Sequence, residues 1–190
     1  IMMVSVGVSN RHVHLCEEDY KILFGNEDLT VKSYLNQPGE FASNSVVTIK
    51  GEKGMIEKVR VLGPLRGYSQ VEISRTDSYK LGVKPPIRTS GFLDGASEIT
   101  VIGPNGSITK NICIIATRHI HVDKDILKAK GLDGVREVSV LIENEKGGIM
   151  NHVYLKETPH AYFEMHIDTD DANAFMLKQN DEVEIIMNQD

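Results

Sequence analysis

No tryptophan occurs in the 190 residues, and cysteine is found only at Cys16 and Cys113. Two thiols so far apart, and in no Cys-x-x-Cys arrangement, argue against a disulfide framework. Cys16 is close enough to His14 to share a metal with it, although a small residue opening a helix is the plainer reading. Cys113 lies in the apolar run Ile112-Cys113-Ile114-Ile115 and reads as a buried structural thiol. No apolar stretch approaches the roughly 20 residues that span a bilayer. The start, Ile1-Met2-Met3-Val4, shows neither a basic stretch nor a signal-peptide core. The expectation is a cytoplasmic protein with no membrane partner and no N-terminal targeting extension.

An excess of positive charge is also missing. The formal net charge is −6, which argues against generic nucleic-acid binding. Any anionic ligand then needs a local basic patch. Lys50, Lys53, Lys58, Arg60 and Arg66 form one, which on charge alone reads as a solvated hairpin face. There is no Ser-His-Asp order, Gly-rich phosphate loop or reactive-cysteine context; the glycines read as turns.

What the chain does have is one short motif twice: Arg11-His12-Val13-His14 and Arg118-His119-Ile120-His121. Side chains alternate along a strand, so each His-x-His pair points two imidazoles to one side, close enough to clasp a single ion. The arginines then point to the other face. Each motif leads into a segment with helical spacing, so the repeat reads as duplicated structure.

Met2 to Val8 reads as a strand, and Glu17 to Phe24 as a helix closed by Gly25. Leu29 to Phe41 reads as a loop with a Gln37-Pro38-Gly39 turn. Strands are expected over 45–50 and 56–62, joined by Gly51-Glu52-Lys53-Gly54. Gly63-Pro64-Leu65-Arg66 is expected to break the second of these. Gln70 to Ser74 then resumes with period two, Val71 and Ile73 facing the core and Glu72 the other way. A helical turn over 77–82 and an extended Pro85-Pro86 connection follow. Strands are expected over 99–102, 108–116, 137–143, 149–155, 161–167 and 182–187, with helices over 123–130 and 170–177.

Laid without gaps, the segment from His121 matches the one from His166 at His, Asp, Asp, Ala, Leu, Glu and Val. A strand, helix, strand unit is thus used twice, which makes His166 a plausible extra ligand. His152 and His160 have no such echo and read as surface or structural residues. Short strands with frequent turns and brief helices point to a mainly β protein of two small β-barrel domains with short capping helices, internally duplicated. The expected partition is residues 1–9 plus 117–190 in one barrel and 10–116 in an inserted second.

His12, His14 and, more suggestively, Glu72 make one set of ligands; His119, His121 and His166 make another. Nitrogen-rich sets of this kind suit zinc better than calcium or magnesium, and three protein ligands leave the open position expected of catalysis. Arg66 stands at the strand break, where a planar guanidinium can hold a phosphate through two parallel hydrogen bonds.

The stretches VGVSNRHVHL, GPLRGYSQVEISRTD, TRHIHV and FEMHIDTDDANA resemble those of the PduL-type phosphotransacylases, also called phosphate propanoyltransferases, in order and over nearly the whole chain. The resemblance implies interconversion of acyl-CoA plus inorganic phosphate with acyl-phosphate plus CoA, using two Zn2+ per chain. It implies a first zinc on His12, His14 and Glu72, a second on His119, His121 and His166, and phosphate on Arg66. Its coenzyme A contacts fall on Val8, Ser9, Asn10, Lys53, Arg60 and Asn173, which turns Lys53 and Arg60 from solvated charges into ligand contacts. It leaves open a homo-oligomer and residence inside a bacterial microcompartment. Cys16 stands where a capping Ser is more usual and Thr117 where Ala is common. Two other readings are carried forward: a dinuclear zinc hydrolase acting on thioesters, and a zinc-stabilised binding module.

Overall fold

The computed structural model describes residues 1–187. In chain order the elements are β1 (Met2–Ser9), β2 (His12–Cys16), α1 (Glu17–Phe24), β3 (Val31–Tyr34), β4 (Phe41–Lys50), β5 (Met55–Arg66), β6 (Gln70–Glu72), α2 (Arg75–Leu81), β7 (Ile87–Arg88), β8 (Ser97–Ile102) and β9 (Ser107–Ala116). They continue with β10 (His119–Val122), α3 (Lys124–Ala129), β11 (Glu137–Ile142), β12 (Gly148–Glu157), β13 (Glu164–Asp168), α4 (Thr169–Ala174) and β14 (Glu182–Ile186). The protein is mainly β, with short helices, and its strands close into two six-stranded barrels.

By contact, Ile1–Ser9 with the residues from Thr117 onward form one compact unit, barrel one, and Asn10–Ala116 form the other, barrel two. Barrel one closes in the order β1, β13, β10, β12, β11, β14. Within it β10 runs antiparallel to β13 and parallel to β12, while β1 runs parallel to β13 and antiparallel to β14. Barrel two closes because β8 pairs with both β4 and β9, giving the ring β9, β6, β2, β5, β4, β8. There β2 runs antiparallel to β6 and parallel to β5, and β9 runs parallel to β6 and antiparallel to β8. The two rings therefore have the same pattern of neighbours. β1 leads into the motif strand β2 but hydrogen-bonds in barrel one, and β9 leads into β10 but hydrogen-bonds in barrel two. Each repeat thus lends its first strand to the other's barrel.

Each barrel encloses its own core. In barrel two Val13, Leu15, Ile49, Val61, Val71 and Val101 are fully buried. In barrel one Val6, Ile120, Val122, Val138, Val140 and Val153 are. The alternation of a strand explains the arrangement of the motif: Val13 and Leu15, like Ile120 and Val122, fill the core, so the histidines between them face the other way.

Three expectations need correction. The stretch expected to be a loop carries β3, paired antiparallel to β4; all four of its residues are exposed, so it shows no inside-outside alternation. The expected break at Gly63-Pro64 is absent, and β5 runs on to Arg66. Pro64 is exposed, and the Phe41 ring lies where a Cβ on Gly63 would be. Helix α2 begins at Arg75 rather than residue 77, because Ser74 and Asp77 form a reciprocal capping box that starts it two residues earlier. Smaller shifts at other element ends, such as β13 over Glu164–Asp168 and the start of β4 at Phe41, are of one to four residues. The strand, helix, strand echo stands twice, as β10-α3-β11 and β13-α4-β14.

Candidate metal centres

In barrel two, β2 is registered against β6 so that His12 faces Glu72 and His14 faces Gln70. Glu72 Oε2 lies 2.5 Å from His12 Nε2 and 3.2 Å from His14 Nε2. His12 Nδ1–H donates to the Asn10 carbonyl at 2.8 Å, which turns Nε2 toward Glu72. Burial drives the His14 imidazole down to about 4, so at neutral pH it is an uncharged donor. Burial lowers His12 as well, but the charge and hydrogen bond of Glu72 overcome this and raise it. Burial pushes Glu72 up, and the two histidines more than reverse that, holding it well below the usual carboxylate range. A cation held here would take the place of the hydrogen between His12 Nε2 and Glu72.

Barrel one repeats the geometry. His119 faces His166 and His121 faces Glu164 across β10 and β13. His119 Nδ1–H donates to the Thr117 carbonyl at 2.9 Å, the counterpart of the His12 to Asn10 bond. His121 Nδ1 lies 3.0 Å from Thr158 Oγ1, and its Nε2 lies 3.2 Å from His166 Nδ1.

Both groups fit a metal ion. Within each, the ligand atoms all lie within 4.8 Å of one another. Tetrahedral bonds of about 2.0–2.2 Å place ligand atoms roughly 3.4 Å apart, so small adjustments suffice. The backbone carbonyls that fix the tautomers of His12 and His119 are the outer partners metal-ligating histidines use. The chemistry of the donors, two imidazoles with a carboxylate and three imidazoles, suits a borderline cation such as zinc.

Arg66, at the end of β5, donates to Tyr68 Oη at 2.9 Å, to Ser90 Oγ at 3.3 Å and to Glu40 Oε1 at 3.1 Å. Its charge is a minor influence against protonation at both His12, which is raised overall, and His14. Arg60 faces His12 across β5 and donates to the Ser43 carbonyl at 3.0 Å. Lys53 lies in the β4–β5 turn, exposed, roughly 15–20 Å along the strand from Arg60. Val8 and Ser9 lie at the end of β1, facing Ile167 and Asp168, and Asn173 is exposed on α4, which Asp168 caps. Asn10 is exposed beside Arg11.

The motif arginines turn away from the triads. Arg11 pairs with Asp77 at 3.2 Å and Arg118 grips Asp171 through two bonds of 2.9 Å. Asp77 and Asp171 each stand five residues past the third ligand of their triad, in the first turn of the helix that follows it. Sequence reading left out both clasps, Glu40 and Glu164. Only the last had a usable signal: Glu164 stands two residues before His166 on one strand, and so on the same face. His152 and His160 are exposed, and Cys113 is buried with its thiol pushed up to about 12 by burial.

Fold and site together define a two-barrel protein carrying, in each barrel, a three-residue nest able to hold a metal ion. The phosphate propanoyltransferase family matches residues 5–178. Proteins named phosphate propanoyltransferase from Rhodopseudomonas palustris (47% identical, 96% of this chain and 81% of that one) and Rhodobacter capsulatus (48%, 94% and 84%) align along the chain. The one from Thermotoga maritima is 47% identical over 96% of this chain and 89% of its own. The chain belongs to the phosphate propanoyltransferase family.

Proposed function

We propose that the protein transfers a short acyl group, propanoyl or acetyl, between coenzyme A and inorganic phosphate, with one zinc ion on each triad. Family membership supports a phosphate acyltransferase. The observation that carries the finer reading is the pair of three-ligand sets, because a structural zinc is usually saturated by four protein ligands. Zinc bound there supplies Lewis acidity for a thioester carbonyl and a soft partner for a leaving thiolate.

Arg66 binds phosphate. Its guanidinium already holds the Glu40 carboxylate, and a phosphate dianion competes for the same donors with more charge and more acceptors. So oriented, a phosphate oxygen attacks the thioester carbon, the C–O bond forms, the C–S bond breaks and the electron pair leaves with CoA sulfur. No acyl-enzyme is needed, and Cys113, buried and with a raised thiol pKa, is unsuited to form one. Val8, Ser9, Asn10, Lys53, Arg60 and Asn173 contact CoA, with Lys53 and Arg60 taking its phosphates. No helix among the described residues is long and apolar enough to cross a membrane. The protein works in the cytoplasm or inside a bacterial microcompartment, which cell fractionation distinguishes.

The test is acyl-CoA consumption with and without phosphate, over acetyl-, propanoyl- and butanoyl-CoA. Consumption should require phosphate and yield acyl-phosphate; phosphate-independent loss would instead support the zinc hydrolase. Arg66→Ala should lower turnover by about 100-fold or more while the chain still binds two zinc ions. Full activity in that variant would remove Arg66 from its role.

A further inference from the structure

Glu164 is 3% exposed on β13, and its Oε1 lies 2.5 Å from His166 Nε2. A carboxylate only accepts, so that nitrogen carries the proton and His166 Nδ1 is left as the donor atom. Nδ1 is also the nitrogen that faces the triad, 3.2 Å from His121 Nε2. The neighbouring strand is built around this pair. Gly7 of β1 is registered against His166, and a Cβ there would lie 2.8 Å from His166 Cδ2 and 2.9 Å from Glu164 Oε1.

The same position in barrel two holds an amide. Gln70 stands two residues before Glu72, as Glu164 stands two before His166, and faces His14 as Glu164 faces His121. Gln70 is fully buried, donating to Ser90 Oγ at 2.9 Å and accepting from Gly91 N at 2.8 Å. The order amide then carboxylate in β6 becomes carboxylate then imidazole in β13. Each nest therefore contains one carboxylate, as a ligand in barrel two and one hydrogen bond behind a ligand in barrel one. A buried divalent ion needs compensating negative charge nearby, and this arrangement gives both ions the same amount.

We propose that Glu164 is the positioning and charge-balancing carboxylate of the barrel-one nest, fixing His166 to bind metal through Nδ1. The inference rests on the reading of the triads as metal sites. It is tested by zinc affinity, measured in chelator competition on the full chain, and by the visible spectrum of the cobalt-substituted protein. His166→Ala identifies which of the two ions belongs to barrel one. Glu164→Gln keeps the shape and an acceptor but removes the charge, and should weaken that ion alone by about 10-fold; Glu164→Ala should weaken it by about 100-fold. Both should change the cobalt spectrum of that site and leave the barrel-two ion as it was. Gly7→Ala should weaken the same ion. Circular dichroism at saturating zinc separates these effects from loss of fold, since a charge-balancing role predicts a folded Glu164→Gln chain with one weak site. Unchanged zinc affinity and cobalt spectrum in both Glu164 variants would overturn the role. If His166→Ala also changes nothing, the metal reading falls and the inference with it.

Discussion

Taken strand for strand, β10, β13, β12, β1, β11 and β14 of barrel one stand where β2, β6, β5, β9, β4 and β8 stand in barrel two, with every parallel and antiparallel pairing kept. The nests sit at the same register positions, and in each the backbone carbonyl two residues upstream fixes the first histidine. What differs is chemical. Barrel two uses a carboxylate ligand beside a buried amide; barrel one uses a third imidazole with a carboxylate behind it. Barrel two also carries Lys53, Arg60 and Arg66, whereas the residue facing His119 where Arg60 faces His12 is Tyr154. A closed ring fixes where the three side chains of each nest stand, while their identity and surroundings are free to diverge. On the proposed function, barrel two has gained the anion-binding side chains.

The largest effect is expected from breaking either nest. His14→Ala and His121→Ala occupy equivalent places, and each should leave one zinc per chain and reduce turnover by well over 100-fold, since losing even an outer partner of a ligand costs 10–100-fold. Metal analysis and phosphate-dependent acyl transfer check both. Full turnover in one variant would show that its barrel keeps the nest without using it.

The histidine pairs were legible because a strand's alternation needs only local sequence, and Val13 and Ile120 between them supply the contrast. The face of Glu72 was legible for the same reason, once Val71 and Ile73 marked the core side, but its pairing with His12 and His14 came from the family resemblance and not from alternation. The β4–β5 hairpin announced itself through Gly51-Glu52-Lys53-Gly54, though Phe41 to Asn44 escaped because Ser43 is buried without being apolar. β3 and β7 carried no pattern: one is exposed throughout and the other is two residues long. The clasps Arg11–Asp77 and Arg118–Asp171 link residues 66 and 53 positions apart, and nothing local marks which acid an arginine will find. Glu164 had a local signal, but an acid alternating with core residues reads first as a solvated face.

The first helices of the two barrels are held by opposite means. α3 is capped by the Asp123 side chain and buries none of its residues, whereas α1 has no side-chain cap at Cys16 and instead buries Asp19, Tyr20, Leu23 and Phe24. Asp19 accepts from Ser69 Oγ at 2.5 Å and from Lys110 Nζ at 2.7 and 2.9 Å. Burial pushes its carboxyl up, but these partners more than offset that and hold it below its ordinary value. A depressed carboxylate stabilises the fold above the unfolded value of about 3.9 and stops doing so as pH falls through the folded one. Asp19→Asn should therefore lower the local opening energy of α1 by about 2 kcal/mol at neutral pH, with the deficit shrinking below about pH 4. Amide exchange in α1 of the metal-free chains reads this, and α3 should not change. A deficit independent of pH would mean that shape, not charge, anchors the helix.

The smallest effect tests the clasps. Arg118 makes two bonds of 2.9 Å to Asp171 and a third of 2.7 Å to the Asn151 carbonyl, so it ties α4 to β12 as well as to β10. Arg11 makes one bond of 3.2 Å to Asp77 and otherwise reaches Asn10 beside it. Asp77 is also engaged in the capping box of α2, which holds that helix start without the arginine. Paired two-point contacts are stronger and more directional than single ones at a half-exposed surface. Arg118→Ala should then lower the opening energy of α4 by about 1–2 kcal/mol, and Arg11→Ala that of α2 by less than about 1 kcal/mol. Arg118→Lys should recover only part of the loss, because an ammonium cannot reproduce the planar fork. Amide exchange in the two helices measures the difference. Equal losses would mean that the register of the barrel strands, and not the grip of each arginine, sets how firmly the helix behind each nest is held.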